Sequence, residues 1–274
     1  MPKTVFILSA SADIGRALAG FYADEGWTVV GTYRDRDGVA VLEGRPGVHL
    51  LPCDVGSNQS IRHMLGQYSS LGLPWDVFVS AVGVLDPIGP WVSLDFDEWE
   101  KSVVINSLAQ LRVFHALYPL RRSGQDVHAA FFAGGGTNNP FTDYSAYCSA
   151  KILLIKMCEL IDDEVPDVNA FIIGPGFIPT KIHDQTKAVG GRYQEDLAGY
   201  QAAGKAASYR DIYDCINWCV SQGREVAGGR NFAAVHDPWK QGGELLAAEL
   251  RRDRDRYKLR RAGNTHSEQG ATTR

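Results

Sequence analysis

Near the start of the chain lies Val5-Phe6-Ile7-Leu8-Ser9-Ala10-Ser11-Ala12-Asp13-Ile14-Gly15. The apolar run Val5–Leu8 predicts a buried strand, because it is short and rich in residues that favour strands. The pattern from Ile14 to Glu25, with Gly26 after it, predicts a helix. A strand that passes through a turn of small residues into a helix is the first unit of a parallel α/β sheet.

The same alternation continues along the chain. Further strands are predicted at residues 28–32, 48–51, 76–80, 127–132, 168–173 and 231–235, and helices at residues 60–68, 97–117, 144–161 and 212–220. Strands that alternate with helices predict a parallel sheet covered on both faces. Right-handed crossovers make this an α/β fold with a single-domain, Rossmann-type, doubly wound parallel sheet of about seven strands.

The domain is expected to span residues 1–240. A basic helical extension is expected over residues 241–261. Its arginine-rich run Arg251–Arg261 predicts a solvated helix face, and the alternative is a surface that meets an anionic substrate or a partner subunit. The small, polar residues 262–274 predict a disordered tail.

Composition argues against several classes of function. A net charge of -4 and a pI near 6 argue against a nucleic-acid binder. Five cysteines without a CxxC pair predict a reduced, cytoplasmic protein with neither a disulfide framework nor a zinc site. Since no apolar run reaches membrane-spanning length and no signal peptide is recognisable, we expect no membrane partner.

The run Ser145-Ala146-Tyr147-Cys148-Ser149-Ala150-Lys151 places a phenol and an ammonium four residues apart. On a helix both side chains lie on one face. A free tyrosine has a pKa near 10, and a nearby cation lowers that pKa by stabilising the phenolate. Tyr147 and Lys151 therefore predict general acid/base catalysis. The alternative is a surface helix that carries the two residues by chance.

The turn from Ser9 to Gly15 predicts a phosphate site. In a Rossmann sheet this turn meets the cofactor pyrophosphate at the helix N-terminus. Only Gly15 remains of the glycines expected there. Asp13 could cap the helix by accepting a backbone N–H, and it also brings a negative charge to the place of the pyrophosphate. The alternative is a capped turn without a ligand.

The end of the second strand, Thr32-Tyr33-Arg34, bears on the choice of cofactor. An acid at this edge binds the ribose 2'-hydroxyl of NAD, whereas an arginine can pair with the 2'-phosphate of NADP. Arg34 therefore predicts a preference for NADP(H). Asp35 lies next to it and keeps NAD(H) as the alternative.

Several motifs, in order over about residues 3–238, make the chain resemble a short-chain dehydrogenase/reductase. The turn Ser9–Gly15 is similar to the family's TGxxxGxG, with Ser9 and Asp13 in place of the first two glycines. Residues that match cofactor-binding positions of the family are Ser9, Ser11, Asp13, Ile14, Gly15, Asp54, Val55, Ala81, Val82, Gly83, Tyr147, Lys151, Pro175, Gly176, Ile178 and Thr180. Asn106 matches the active-site asparagine on the long helix, and Tyr147 with Lys151 matches YxxxK.

The resemblance implies a role for each catalytic residue. Tyr147 would exchange a proton with a carbonyl or an alcohol, and Lys151 would lower its pKa and bind the nicotinamide ribose. Asn106 would hold a water that links Lys151 to solvent, unless it only satisfies backbone within its helix. Asp54 would contact adenine, unless it only caps the next helix. Hydride would pass between the nicotinamide and the substrate carbon.

The family's catalytic serine is missing. Its position falls on Gly134, within Phe131-Phe132-Ala133-Gly134-Gly135-Gly136-Thr137, or on Ala133 if the loop has one extra residue. Three interpretations remain open. Thr137, or less favourably Thr142 or Ser145, supplies the hydroxyl. Alternatively, backbone N–H groups of the glycine run donate the hydrogen bond to the substrate oxygen. Or the site has lost ordinary reductase chemistry.

The segment from Lys181 to about Ala207 would form the substrate lid. Its mixed charge, from His183, Asp184, Lys187, Arg192 and Tyr193, suits a polar substrate. Arg230–Trp239 and Tyr257–Arg261 resemble short-chain reductases of bacterial surface-glycan clusters, which implies a sugar or sugar nucleotide.

We therefore expect an NADP(H)-preferring oxidoreductase that interconverts a ketone and a secondary alcohol. By resemblance it would be a homodimer or homotetramer built through its two long helices. The rival hypotheses are a non-catalytic nucleotide-binding protein and an epimerase or dehydratase that recycles its cofactor.

Overall fold

The protein has a single parallel sheet in the described part of the chain. The computed structural model describes residues 2–178, 180–189, 195, 199 and 207–261. The strands are β1 (Thr4–Leu8), β2 (Thr28–Tyr33), β3 (Val48–Pro52), β4 (Val77–Ser80), β5 (Val127–Phe132), β6 (Val168–Gly174) and β7 (Asn231–Ala233). Their order is β3-β2-β1-β4-β5-β6-β7. The Rossmann-type α/β fold predicted from the sequence is confirmed, with its switch point between β1 and β4.

Helices cover both faces of the sheet. They are α1 (Asp13–Asp24), α2 (Asn58–Leu71), α3 (Phe96–Val103), α4 (Ala109–Leu117), α5 (Ser145–Glu164), α6 (Ile182–Val189), α7 (Tyr209–Ala227) and α8 (Gly243–Arg252). Successive residues of β1 serve opposite faces: Val5 and Ile7 pack with α1, α7 and α8, whereas Phe6 and Leu8 pack with α2, α4 and α5. This burial on both sides explains why Val5–Leu8 is apolar at every position.

The long helix predicted over residues 97–117 is interrupted. Between α3 and α4 the chain forms a π-helical turn, Val104–Leu108, which carries Asn106. Such turns are frequent at functional sites, because one extra residue per turn re-aims a side chain. The apolar periodicity of the sequence gave no sign of this interruption.

The C-terminal extension is fastened to the sheet by Arg230. This buried guanidinium donates to the carbonyl oxygens of Glu225, Val226, Leu250, Asp253 and Arg256. Because a buried cation requires acceptors, the three bonds to Leu250, Asp253 and Arg256 fix the path of the extension, while the other two go to the end of α7. Helix α8 ends at Arg252 and residues 253–261 are irregular, so the prediction of a helix face over Arg251–Arg261 is wrong beyond Arg252.

The predicted tail, residues 262–274, lies outside the described residues. Among those that are described, no helix has the length and apolar character needed to span a bilayer.

Candidate active site

A cleft of about 1410 Å³ lies along the carboxyl ends of the strands. It is lined by every residue predicted to bind cofactor or take part in catalysis except Gly15 and Asn106. These two lie behind the cleft wall. A Cβ on Gly15 would be 2.2 Å from the carbonyl oxygen of Ser9, so only glycine lets α1 begin this close to the turn after β1.

The turn keeps its shape although Ser9 replaces a glycine. Ser9 has a φ of 67°, in the left-handed region that glycine adopts without strain. Its N–H donates to Oγ1 of Thr32 at 2.8 Å, and its carbonyl accepts from the N–H of Ala12 at 3.1 Å. Ser9 therefore adopts the backbone conformation expected of the glycine it replaces, and the turn lines the cleft, where its small residues fit a pyrophosphate.

Asp13 does not cap α1. The N-cap residue is Ala12, which makes no side-chain cap, so that part of the prediction is wrong. One carboxylate oxygen of Asp13 accepts from Nη2 of Arg16 at 2.6 Å, and the other accepts from the backbone N–H of Lys181 at 2.8 Å. Arg16 therefore offsets the negative charge that Asp13 brings to the phosphate turn.

The far end of the cleft carries Arg34 and Asp54. Arg34 is exposed, and its guanidinium makes no hydrogen bond or ion pair with any described residue. Asp54 accepts from the N–H of Gly56 at 2.9 Å, while Ser57 caps α2 by accepting from the N–H of Ser60. The alternative role of Asp54 as a helix cap is therefore wrong, and its carboxylate lies at the cleft.

Tyr147 and Lys151 lie in the first two turns of α5 and face the cleft together. Tyr147 is 9 % exposed and Lys151 is 3 % exposed. The ammonium of Lys151 lies 5.6 Å from the centre of the Tyr147 ring and donates to the carbonyl of Val82 at 3.4 Å. Within the described residues the Tyr147 hydroxyl has no hydrogen-bond partner, so it is available to a substrate.

Burial shifts the pKa values of both groups in the direction that favours their neutral forms. Desolvation raises the pKa of Tyr147 above its ordinary value, and it lowers the pKa of Lys151 to about 8. The expectation that Lys151 lowers the pKa of Tyr147 is therefore not met in this state. At neutral pH the tyrosine is protonated, which is the form that gives a proton to a carbonyl.

Burying Lys151 is expected to reduce the stability of the fold. Lys151→Met should raise the free energy of unfolding at pH 7 by about 2–3 kcal/mol while abolishing turnover, because the buried charge carries a penalty of 1.36 kcal/mol per pKa unit. Lys151 binds its proton less tightly in the native state than in the unfolded state, so the gain in stability of Lys151→Met is complete below about pH 8. The gain then shrinks as the pH approaches the pKa of lysine in the unfolded state. Urea unfolding at pH 7 and pH 10 measures both effects, and equal stability of the two proteins at pH 7 would contradict the expectation.

The glycine run packs against the start of α5. A Cβ on Gly134 would lie 2.2 Å from the Tyr147 hydroxyl, and one on Gly136 would lie 2.5 Å from Sγ of Cys148. The ring of Tyr147 therefore occupies the space that a serine side chain at position 134 would need. Thr137 donates to the carbonyl of Gly134 at 3.3 Å, and Ser145 accepts from the indole of Trp99.

Asn106 joins the long helix to the loop after β4. It is fully buried, and its amide exchanges two hydrogen bonds with the backbone of Val84, at 3.0 and 2.8 Å. The backbone carbonyl of Asn106 accepts from Nε2 of Gln110 at 2.7 Å. The side chain therefore satisfies backbone, as the simpler alternative held, but that backbone belongs to the loop and not to the helix of Asn106.

Gln110, a buried residue behind the site, was missed from the sequence. Oε1 of Gln110 accepts from Ser80 Oγ at 2.6 Å, and its Nε2 lies 3.4 Å from the Val82 carbonyl to which Lys151 also donates. Gln110 thus orders the backbone around the lysine. The one signal in the sequence was a polar residue four positions after Asn106 on an otherwise apolar helix face.

The predicted lid is described in part. His183, Asp184 and Lys187 lie on α6, whereas Arg192 and Tyr193 lie outside the described residues. The His183 ring stacks on Phe177 with 4.9 Å between ring centres, and its Nε2 lies 3.1 Å from the carbonyl of Ile178. Helix α6 therefore packs on the segment that follows β6.

A family model described as enoyl-(acyl carrier protein) reductase matches residues 9–234. The chain belongs to the short-chain dehydrogenase/reductase family. The match covers the phosphate turn, the Tyr147–Lys151 pair and the segment after β6. As a member of this family the protein is an NAD(P)-dependent oxidoreductase that uses a nicotinamide cofactor.

Relatives within the family are distant. Serine 3-dehydrogenase of Rhizobium radiobacter is 23% identical over 82% of this chain and 91% of its own. NADPH-dependent pterin aldehyde reductase of Arabidopsis thaliana is 28% identical over 66% and 76%. The structure of 4-hydroxyisoleucine dehydrogenase complexed with NADH has a TM-score of 0.73 at 19% identity and covers 84% of this chain and 96% of its own. At this identity the structural likeness shows the fold alone.

Proposed function

We propose that the protein is an NADP(H)-preferring oxidoreductase that interconverts a ketone and a secondary alcohol on a polar small molecule. The observation that carries the proposal is the unbonded Tyr147 hydroxyl, which lies in the cleft beside the buried Lys151. A proton donor without a partner of its own, next to a buried cation, is the arrangement that general acid catalysis requires.

The nicotinamide, when bound, supplies or accepts the hydride. The chain's own residues move the proton. In reduction, Oη of Tyr147 donates to the carbonyl oxygen of the substrate. Lys151 is charged below its pKa of about 8, so it stabilises the tyrosinate that this transfer leaves. The roles proposed for Ser9 and Ser11 at the pyrophosphate, and for Gly176 and Thr180 at the nicotinamide, rest on the cleft that they line. The role proposed for Gly15 rests on the close approach of α1 to the turn after β1.

The preference for NADP(H) rests on Arg34. Arg34→Ala should weaken NADPH binding about tenfold or more and leave NADH binding nearly unchanged, because only the 2'-phosphate loses a charge-assisted hydrogen bond. Fluorescence titration with each nucleotide measures both affinities.

Arg36→Ala is the matched control for Arg34. Arg36 is also exposed, but its guanidinium is paired with Glu43 and it does not line the cleft. An equal loss of affinity for NADH and NADPH in Arg34→Ala, or no loss for either, would contradict the assignment of the 2'-phosphate to this residue.

The substrate is proposed to be polar, and a sugar or sugar nucleotide is the first class to test. Hydroxyl and amide side chains at the cleft, among them Thr137, Asn138 and Asn139, support a substrate that forms hydrogen bonds. Two relatives named above, a serine and a hydroxyisoleucine dehydrogenase, are named for small polar compounds. The test is a screen of ketoses, keto sugars and keto acids with NADPH, read as loss of the reduced-nicotinamide absorbance.

One observation favours a second candidate, a protein that binds the nucleotide without redox turnover. Gly134 leaves no room for the family's serine. A binding protein would titrate with NADPH yet oxidise none of it with any ketone. An epimerase or dehydratase that recycles its cofactor would convert substrate without a net loss of NADPH.

We also propose a cytoplasmic homo-oligomer. All five cysteines are free, which supports a reducing compartment. Phe96 on α3, Leu108 in the π-helical turn and Leu160 on α5 are exposed apolar residues on the two long helices. Their position supports an interface between copies along these helices.

A further inference from the structure

We propose that Asp13 is a positioning residue that anchors the first turn of α6 over the reacting groups. Its carboxylate accepts from the backbone N–H of Lys181, the residue just before α6, at 2.8 Å. The two residues are 168 positions apart in sequence, so this bond joins the phosphate turn directly to the lid.

The anchor is rigid on the side of α1. Arg16, one turn further along the helix, holds the other oxygen of the Asp13 carboxylate at 2.6 Å, and the Asp13 side chain is 9% exposed. The Arg16 guanidinium is itself fixed by the carbonyl of Gly38 at 3.3 Å. The carboxylate therefore presents one oriented oxygen to the lid, and an acceptor with a formal charge makes the stronger kind of hydrogen bond.

Helix α6 begins next to the anchored residue and packs near the catalytic tyrosine. Ile182, the first residue of α6, packs against a buried cluster of Leu85, Tyr144 and Tyr147. Its Cδ1 lies 3.3 Å from the position of a Cβ on Gly83. The apolar side chain next to the anchored N–H therefore packs on the cluster that contains the catalytic ring.

Two further bonds hold the same helix to other walls of the cleft. Gln185 accepts from the N–H of Leu85 at 2.7 Å, and Thr186 pairs with the hydroxyl of Tyr144 at 3.1 Å. Asp13 differs from these contacts because it belongs to the phosphate turn. It therefore couples the position of the lid to the part of the cleft proposed to hold the pyrophosphate.

The first test measures backbone hydrogen exchange of the full chain, without nucleotide or substrate. Asp13→Ala should speed exchange in the peptide covering residues 181–189 about tenfold, because the Lys181 N–H loses its acceptor. Asp13→Asn keeps an oxygen acceptor and should restore exchange close to the wild-type rate. Asp24→Ala, which removes an ion pair with Arg45 at the other end of α1, is the matched control and should leave this peptide unchanged.

The second test is kinetic and rests on the proposed function. Asp13→Ala should raise KM for the ketone about tenfold, with Asp13→Asn close to wild type.

Unchanged exchange in Asp13→Ala, or an equal change in Asp24→Ala, would overturn the anchor. Failure of Asp13→Asn to restore exchange would also overturn it, as would a weaker Kd for NADPH with an unchanged lid. A wild-type protein that turns over no ketone would refute the proposed function, while the exchange result would still decide whether Asp13 holds α6.

Discussion

Tyr147→Phe is expected to lower turnover by about a hundred- to ten-thousandfold, because it removes the proton donor and leaves the ring in place. Affinity for NADPH should stay near that of the wild type, since the hydroxyl makes no hydrogen bond within the described residues and the substitution leaves the fold intact. Steady-state reduction of a ketone from the screen, together with a fluorescence titration, measures both quantities.

Tyr144→Phe is the control for this experiment. Tyr144 is as buried as Tyr147 and lies in the same apolar cluster, but its hydroxyl pairs with Thr186 of the lid. We expect a severalfold effect on KM and little change in kcat. Turnover that survives in Tyr147→Phe would remove Tyr147 from the mechanism, whatever the result at Tyr144.

Gly134→Ser restores the family's serine and is nevertheless expected to lower turnover at least a hundredfold. Its Cβ would lie 2.2 Å from the Tyr147 hydroxyl, so the ring must move away from its position. A displacement of about 1 Å at a reacting group is enough for a loss of this size. Steady-state kinetics with a titration of NADPH would show a lower kcat with the nucleotide still bound.

Two companion variants separate the explanations for the missing serine. Gly135→Ala would bring a Cβ to 2.9 Å from the ring of Phe141 in the same loop. It therefore controls for a general disturbance of the loop and should lower turnover severalfold. Thr137→Val removes the hydroxyl that now donates to Gly134. A loss of about a hundredfold in turnover would show that Thr137 donates to the substrate oxygen. A change in turnover within about threefold would favour backbone N–H groups as the donors. A Gly134→Ser protein as active as the wild type would contradict the steric account.

The strands of the parallel sheet could be predicted because their cause is local. A strand buried on both faces must be apolar at successive positions, as in Val5–Leu8, and this pattern is visible in any short window. The spacing between the end of β5 and Tyr147 assigns the missing serine to Gly134 or Ala133, and this assignment stays a prediction. That the tyrosine ring would fill the space was not predictable, because it depends on how α5 packs against the glycine run.

The predictions that failed depend on distant contacts. Asp13 occupies a position typical of a helix cap, yet its oxygens bond Arg16 and the lid residue Lys181. The irregular path after Arg252 follows from carbonyls bound by the distant Arg230. The pKa of Tyr147 follows from the burial of its ring, which spacing on a helix does not report.

Transfer of a labelled hydride tests the central claim most directly. The purified protein is incubated with NADPH that carries deuterium at the transferable position and with the best ketone of the screen, and the product is analysed by mass spectrometry. We predict one deuterium in the alcohol product for each NADPH oxidised, and with Tyr147→Phe at most about one hundredth of that labelled product over the same incubation. Tight binding of NADPH by the folded wild-type protein, with no NADPH oxidised across the whole panel of ketones, would contradict the account and leave a nucleotide-binding protein.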